Sequence, residues 1–228
     1  MTPVPDAAAL AALRAAGVDD REAERLAAYA ALVLDANRRV NLTGAAGGEA
    51  FAEHILDALT LRDLVIGPLI DVGSGNGLPG IVLALVTGCP VTLLEPIAKR
   101  AAFLTDAVEA LALEATVLVE RAESAAHRPQ FREGFGSATA RAVGGAPTVA
   151  ELTVPFLVAG GVALLQRGGM DERERAALAG AARMLGAEVS EERPAGGERR
   201  ILVLRKSGPT PPGFPRRNGV PAKRPLCT

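Results

Sequence analysis

The sequence predicts an α/β fold in which a small N-terminal helical cap precedes a mixed, mostly parallel seven-stranded sheet. Before Leu69, apolar residues recur only at the three- and four-residue spacing of amphipathic helices. After Leu69, short apolar runs alternate with segments of helical length, a pattern typical of right-handed βαβ units. Residues 193–198 join the last two strand candidates without a helix, so the sequence predicts an antiparallel hairpin at the C-terminal edge.

The composition indicates a globular protein with a real apolar core. Of 228 residues, 49% are hydrophobic and 22% are charged, which excludes global disorder and collagen-like repeats. The first 22 residues carry Asp6 and Arg14 without a basic start, unlike a signal peptide, and prolines interrupt the charge-free run 77–94. Two cysteines cannot make a disulfide framework or a metal site. We therefore expect a cytoplasmic protein that holds no metal and has no membrane partner.

The helical cap is predicted over residues 1–66. Residues 6–39 have helical periodicity, and within them Asp19-Asp20 supplies the negative charge that favours a helix N-terminus. A second helix is expected over 49–64, because Gly67-Pro68 stops it. The cap therefore contributes helices and no strand.

The sheet domain is predicted over residues 67–206. Its strands are expected at 68–72, 91–94, 115–119, 138–143, 161–165, 188–192 and 200–204. Its helices are expected at 78–86, 97–111, 148–157 and 171–185. Strands linked in this way lie in a sheet that is buried on both faces.

A basic, proline-rich tail is predicted over residues 207–228. From Arg205 to the C-terminus there are six basic residues and no acidic ones, which leaves nineteen basic against twenty-six acidic residues, a net charge of −7, in residues 1–204. Such a tail is either a disordered terminus or an arm that contacts phosphates. The charge count alone leaves both interpretations open.

A glycine-rich loop follows the first predicted strand. The chain reads Asp71-Val-Gly-Ser-Gly-Asn-Gly77, and glycines there let the backbone turn and let a ligand approach closely. Leu78 stands where a dinucleotide fingerprint has its third glycine, so the loop instead resembles motif I of the class I S-adenosylmethionine-dependent methyltransferases. Glu95 ends the next strand, where a carboxylate can accept both hydroxyls of a ribose, and Arg121-Ala-Glu123 ends the third. The three features predict a nucleoside cofactor at the carboxyl edge of the sheet.

The acceptor class is narrowed by motifs that the sequence lacks. Amino-group methylases carry an Asn/Asp-Pro-Pro-aromatic turn after the fourth strand, where this chain reads Thr139-Ala-Arg-Ala-Val143. Neither Cys89 nor Cys227 is placed to serve as the nucleophile of a cytosine-C5 methylase. A ring nitrogen such as guanine N7 remains, and it needs positioning rather than a general base. Two other interpretations stay open, a small-molecule N-methyltransferase and a non-catalytic rRNA-binding protein that keeps the fold.

A family resemblance covers the chain from about residue 37 to its C-terminus. The motifs that carry it are Asn41-Leu-Thr43, Glu53-His-Ile-Leu-Asp57, Asp71-Val-Gly-Ser-Gly-Asn-Gly-Leu-Pro-Gly-Ile81, Lys99-Arg-x-x-Phe-Leu104, Ala140-Arg-Ala142 and Phe214-Pro-Arg-Arg-x-Gly-x-Pro221. Together they resemble the GidB/RsmG family of 16S ribosomal RNA guanine-N7 methyltransferases. The resemblance implies a class I methyltransferase (Rossmann-like) fold, S-adenosyl-L-methionine as cofactor, and the small ribosomal subunit or its assembly intermediate as partner of a monomeric enzyme.

The resemblance also implies particular site residues. For the cofactor these are Gly73, Ser74, Gly75, Leu78, Glu95, Ala122, Glu123 and Arg141. Apart from the resemblance, we expect Arg141 to hold the cofactor and the guanine in register and Asp71 to support the loop from beneath. The RNA-binding candidates are His54, Arg167, Arg200, Arg216, Arg217, Lys223 and Arg224. The chain departs from the family pattern at Ala58, where a serine is usual, and at Leu165-Gln-Arg-Gly168, where Leu-Lys-Gly is common.

Overall fold

The computed structural model describes residues 3–141 and 143–227. Residues 1, 2, 142 and 228 lie outside this description, and with them the Ala142 position of the predicted strand 138–143 and of the Ala140-Arg-Ala142 motif. The chain forms two compact units. Unit one comprises Met1–Asp63 and Ser74–Val119, and unit two comprises Leu64–Gly73 and Glu120–Thr228. The domain boundaries predicted after residues 66 and 206 stay predictions.

The helices and strands alternate along the chain largely as predicted. The helices are α1 Ala7–Ala15, α2 Asp20–Val40, α3 Gly48–Leu59, α4 Gly80–Thr87, α5 Ala98–Ala110, α6 Ala122–Ala125, α7 Ala146–Thr153, α8 Glu172–Met184 and α9 Val220–Lys223. The strands are β1 Leu69–Val72, β2 Val91–Leu94, β3 Ala115–Leu118, β4 Phe135–Thr139, β5 Leu157–Arg167, β6 Ala187–Pro194 and β7 Arg200–Lys206.

Three helices of unit one come from the predicted cap. Asp6 caps α1 by accepting a hydrogen bond from the Ala9 N–H at 2.9 Å, and Asp19 caps α2 through the N–H groups of residues 21 and 22. The predicted run 6–39 is therefore two helices, separated at Gly17, whose φ is +82°. The predicted helix 49–64 ends earlier, at Leu59, and a 3-10 turn follows at Arg62–Leu64. Among residues 3–68 there is no strand.

The two strands of unit one are parallel neighbours. Val91 of β2 is in register with Ala115 of β3, and Leu94 with Leu118. The last residue of β2 thus lies one step before Glu95, which places that carboxylate at the carboxyl end of the strand.

The five strands of unit two include the antiparallel edge. β1 pairs with β4 and β4 with β5 in parallel, whereas β7 pairs antiparallel with both β5 and β6. The seven strands form a mixed sheet in the order β3-β2-β1-β4-β5-β7-β6. This arrangement confirms the predicted fold class.

Two predicted strands of unit two were misplaced. β4 is Phe135–Thr139 rather than 138–143, and it includes Gly136, whose absent Cβ leaves room for the Ile66 carbonyl oxygen 2.6 Å from that position. β5 begins at Leu157 rather than 161, because α7 ends at Thr153 and a 3-10 turn replaces the predicted end of that helix. Glycines near the first residues of β4 and β5 made the starts of these strands hard to predict, because glycine has a low propensity for strands.

The C-terminal tail is a folded part of unit two. Thr210, Pro221 and Leu226 are buried, and residues 220–223 form α9. The structure therefore does not show the disordered terminus that the charge count left open. Within the described residues no helix is both long and apolar enough to span a membrane.

Candidate active site

The glycine-rich loop adopts a backbone that only glycine tolerates well. Gly73, Gly75 and Gly77 have φ values of +71°, +58° and +97°, in the left-handed region. A Cβ on Gly73 would lie 2.9 Å from Cγ2 of Val143, and one on Gly77 would lie 2.5 Å from Cδ1 of Ile81. All three glycines therefore serve a turn at positive φ, and at Gly73 and Gly77 a side chain would also meet a neighbour.

In unit one, Glu95 joins the loop to the end of β2. Its Oε2 accepts a hydrogen bond from the Gly75 N–H at 2.9 Å, and its Oε1 accepts one from the Ile97 N–H at 2.8 Å. The side chain is only 2% exposed. The Ser74 N–H donates to the Leu94 carbonyl at 3.1 Å, which ties the loop to the same strand end. The carboxylate is thus buried and oriented, and two of its roughly four lone-pair directions remain for a ligand.

Sequence reasoning missed the residue that supports this loop from the helical part of unit one. The buried Tyr29 hydroxyl of α2 donates to the Asn76 carbonyl at 2.8 Å. The Asn76 side chain in turn accepts from the Leu78 N–H at 3.3 Å. A tyrosine on a buried helical face needs a polar partner, and that requirement was the available signal.

In unit two, Asp71 and Thr139 hold the start of the loop. Asp71 is fully buried at the end of β1, and its Oδ1 accepts a hydrogen bond from the Thr139 hydroxyl of β4 at 3.0 Å. Asp71 and Thr139 are register partners of the two parallel strands. Asp71 lies directly before the glycine-rich loop, and its role in supporting that loop stays a prediction.

The predicted cofactor residues Ala122 and Glu123 begin the short helix α6 of unit two. Both are buried, and Oε1 of Glu123 accepts a hydrogen bond from the Gly219 N–H at 2.8 Å. This contact links the C-terminal segment to a predicted binding residue. No local pattern in the sequence indicated it.

Arg141 is half-buried in the loop that follows β4. Within residues 3–141 and 143–227, its guanidinium makes no hydrogen bond or ion pair. Nearby, Arg167 of β5 donates to the Gly144 carbonyl at 2.5 Å and so fixes the same loop. Arg167, a predicted RNA contact, is therefore also a support for the Arg141 segment.

The other RNA candidates fall into two groups. His54 is half-buried with its ring edge-on to Phe51 at 6.2 Å, and Arg200 donates to the Gly197 and Arg199 carbonyls. Arg217, Lys223 and Arg224 are exposed, and their side chains have no hydrogen bond or ion pair within the described part of the chain. The exposed group retains the charge that a phosphate contact needs.

Arg216 is held by the protein itself. Glu151 of α7 is fully buried, and its carboxylate accepts from Arg216 at Nε (2.9 Å), at Nη2 (2.6 Å) and at the backbone N–H (2.8 Å). These hydrogen bonds raise the pKa of the Arg216 guanidinium above its ordinary value. Arg216 therefore has a structural partner in a buried carboxylate, and its contact with RNA stays a prediction.

A second polar cluster fastens the beginning of the tail. Burial lowers the pKa of Lys206, whose ammonium contacts the Thr210 hydroxyl and lies 3.2 Å from Oε1 of Glu133. Burial alone would raise the pKa of Glu133, but the hydrogen bonds from the Thr210 N–H and from Lys206 outweigh it, so that pKa is lowered. Arg132 donates to the Thr210 and Phe214 carbonyls, each at 2.8 Å. The tail is therefore anchored at several points.

Comparison with known proteins identifies relatives over most of the chain. Residues 22–203 match the family model GidB, described as rRNA small subunit methyltransferase G. Curated proteins named ribosomal RNA small subunit methyltransferase G are similar to this chain. The protein from Gloeobacter violaceus is 40% identical over 86% of this chain and 83% of its own length. The protein from Moorella thermoacetica is 39% identical over 87% and 88%.

Solved structures share the fold at low sequence identity. A mutant of MtNAS in complex with S-adenosylmethionine has a TM-score of 0.53 at 14% identity, covering 81% of this chain and 75% of that chain. The cyclase SpnF has a TM-score of 0.53 at 16% identity, covering 72% and 84%. At such identities the likeness concerns the fold.

Proposed function

This chain belongs to the GidB family of rRNA small subunit methyltransferases, and from that premise we propose that it methylates N7 of a guanine in 16S rRNA. It is an S-adenosyl-L-methionine-dependent rRNA methyltransferase. The atom that receives the methyl group is the part that we propose. The observation that supports N7 is the sequence of residues 139–143, which lacks the Asn/Asp-Pro-Pro-aromatic turn of amino-group methylases. The buried Glu95 carboxylate, fixed by two backbone N–H groups beside the glycine-rich loop, supports the cofactor site.

The residues of the loop fit the cofactor. S-adenosyl-L-methionine supplies, when bound, an electrophilic methyl group on a sulfonium centre. Glu95 has lone pairs left to accept the ribose hydroxyls, and the glycines at positive φ allow the tight turn at which a ligand can approach the backbone. We propose that Gly73, Ser74, Gly75, Leu78 and Glu95 hold the cofactor. Ala122, Glu123 and Arg141 are proposed for it on the family resemblance, with Glu123 contributing through its backbone, since its carboxylate accepts from the Gly219 N–H.

Gly73→Ala should weaken cofactor binding several-fold, whereas the matched variant Gly17→Ala should not. Both substitutions place alanine at positive φ, +71° and +82°, at a cost of about 1–2 kcal/mol in stability. Only at Gly73 would the new Cβ also meet a neighbour, Cγ2 of Val143 at 2.9 Å. Isothermal calorimetry with S-adenosylhomocysteine measures the difference. Equal affinity of the two variants for S-adenosylhomocysteine would contradict a role of Gly73 in the cofactor site.

The acceptor proposed here needs no general base. N7 of guanine has a lone pair and no proton, so catalysis depends on holding it in position. Both histidines of the chain have structural contacts, since His54 packs on Phe51 and His127 Nε2 lies 2.8 Å from the Pro215 carbonyl oxygen. We propose Arg141 as the positioning residue, because its five donors can orient a carboxylate or a guanine edge.

The rate of single-turnover methyl transfer should be nearly independent of pH between about 6.5 and 8.5, because no group near the histidine pKa of ~6.5 must lose a proton. Arg141→Ala should lower this rate sharply without adding a pH dependence. His54→Ala should leave the profile flat. A rise with an apparent pKa near 7 that vanishes in His54→Ala would make His54 a base and would exclude N7 as the acceptor.

Mapping N7-methylguanine in 16S rRNA tests the proposed function directly. The modification should be present when a strain expresses this protein and absent without it. Purified small subunits and free 16S rRNA, assayed side by side with labelled cofactor, identify the substrate form. Methylation of a small molecule with no modified rRNA would contradict the proposal. We further propose that the protein is a monomer and that it lies in the cytoplasm, where its ribosomal substrate is found. Gel filtration tests the oligomeric state.

A further inference from the structure

Unit two contains a pocket of about 530 Å³ between α6 and the C-terminal segment. Its volume is within the range of small-molecule sites. The residues that line it are Glu123, Ser124, His127, Gly213, Pro215, Arg217 and Asn218. The pocket is therefore built jointly by the predicted cofactor element and by the tail.

The walls of this pocket are held in place before any ligand binds. His127 Nε2 donates to the Pro215 carbonyl at 2.8 Å, and the Ser124 hydroxyl donates to Oδ1 of Asn218 at 3.2 Å. The Gly219 N–H fixes Glu123, as described above. The buried pair of Glu151 and Arg216 anchors the residue just before Arg217. A preformed pocket loses less entropy on binding than a mobile one.

The pocket contains both hydrogen-bond donors and hydrogen-bond acceptors that are available to a ligand. The exposed Arg217 guanidinium has no ion pair among the residues that the structure describes. Since Oδ1 of Asn218 faces the Ser124 hydroxyl, its amide nitrogen can donate to a ligand. Oε1 of Glu123 is occupied by Gly219, and Oε2 can still accept. The pocket thus offers a cation, a neutral donor and a carboxylate acceptor.

This combination matches a ribonucleotide better than a plain anion. A phosphate alone would be repelled by Glu123, whereas a ribonucleotide also carries hydroxyl and amino donors that a carboxylate accepts. Proteins contact single-stranded RNA through its phosphates, 2′-hydroxyls and base edges.

We propose that this pocket binds a nucleotide of the rRNA substrate other than the guanine that is methylated, with its phosphate on Arg217 and its sugar or base on Glu123 and Asn218. The proposal rests on the rRNA function stated above and extends it. It separates Arg217, which contacts substrate, from the adjacent Arg216, which holds the segment in place.

The test compares Arg217→Ala with Arg173→Ala, an exposed arginine of α8 that removes the same charge outside the pocket. Binding of a 16S rRNA fragment is measured over a series of salt concentrations, and binding of S-adenosylhomocysteine is measured by calorimetry. Arg217→Ala should weaken RNA binding about five- to tenfold and reduce the salt slope by about one. It should leave S-adenosylhomocysteine affinity within about twofold of the wild type. Arg173→Ala should change neither quantity.

Asn218→Ala and guanosine 5′-monophosphate provide a second readout. Asn218→Ala should weaken RNA binding with an unchanged salt slope, because it removes a neutral donor. Competition by the free nucleotide in the wild type, lost in Arg217→Ala, would support a nucleotide pocket. Weakening of S-adenosylhomocysteine and RNA alike by Arg217→Ala would assign the pocket to the cofactor and overturn the proposal, as would equal effects of Arg173→Ala. If the wild-type protein bound RNA as expected but methylated another atom, the proposed N7 acceptor would be contradicted, whereas the proposed nucleotide pocket would not.

Discussion

Glu151→Ala should lower the free energy of unfolding by about 3 kcal/mol, in the lower part of the ~3–5 kcal/mol expected for breaking a buried ion pair. Glu151 is fully buried, and the Arg216 side chain, 27% exposed, donates to it at 2.6 and 2.9 Å. Removing the carboxylate leaves the guanidinium and the Arg216 N–H without their acceptor and opens a cavity in α7. Partial exposure of Arg216 lets water replace part of the loss.

Chemical denaturation with urea, followed by circular dichroism, measures this change. Glu151→Gln retains the side-chain volume and removes the charge, so it separates the ion pair from the cavity. Glu192→Ala is the matched control, because it removes an exposed partner of Arg175, and exposed pairs contribute little to stability. If Glu151→Ala and Glu192→Ala destabilise the protein equally, the buried pair does not anchor the tail.

Glu95→Ala should weaken the binding of S-adenosylhomocysteine by about 1–3 kcal/mol, or roughly 5- to 150-fold in Kd. The carboxylate accepts from Gly75 at 2.9 Å and from Ile97 at 2.8 Å, so its loss removes a ligand acceptor and frees the loop that it holds. Glu95→Gln should lose most of the affinity as well, since an amide nitrogen cannot accept from a backbone N–H.

Calorimetry with S-adenosylhomocysteine measures this effect, and Glu114→Gln, which removes an exposed carboxylate just before β3, serves as the control. A melting-temperature measurement on each variant shows whether the protein remains folded. Saturable NAD binding with no response to S-adenosylhomocysteine would contradict the assigned cofactor chemistry.

The role of the tail changes how its charges should be tested. Neutralising Arg216 together with its neighbours would disturb the fold through Glu151, so any loss of RNA binding would have two causes. Substituting Arg217, Lys223 and Arg224 alone isolates the exposed cations. We expect those three substitutions to flatten the salt slope and to leave cofactor affinity unchanged.

Elements whose signal is local could be predicted from the sequence. β2 is at Val91–Leu94 as expected, because a short apolar run is bounded by Pro90 and Glu95. α8 begins after Asp171, which forms a capping box with Glu174, a pattern readable from residue spacing. The start of β5 was not predictable in this way, since Gly160 and Gly161 interrupt its apolar pattern.

The turn at the glycine-rich loop and the position of Glu95 could likewise be predicted, because positive φ restricts the residue type and the apolar run of β2 ends just before the carboxylate. The long-range hydrogen-bond partners in and around the site could not be predicted. Tyr29 meets Asn76 across 47 residues, Arg216 meets Glu151 across 65, and Gly219 meets Glu123 across 96. Residue spacing carries no information about contacts at such separations.

The same limit applies to the tail. Its six cations could be counted in the sequence, but which of them are exposed depends on which one a buried carboxylate pairs with. Local propensity therefore specifies the strands, helices and loop, while long-range packing specifies which charges remain free to bind RNA.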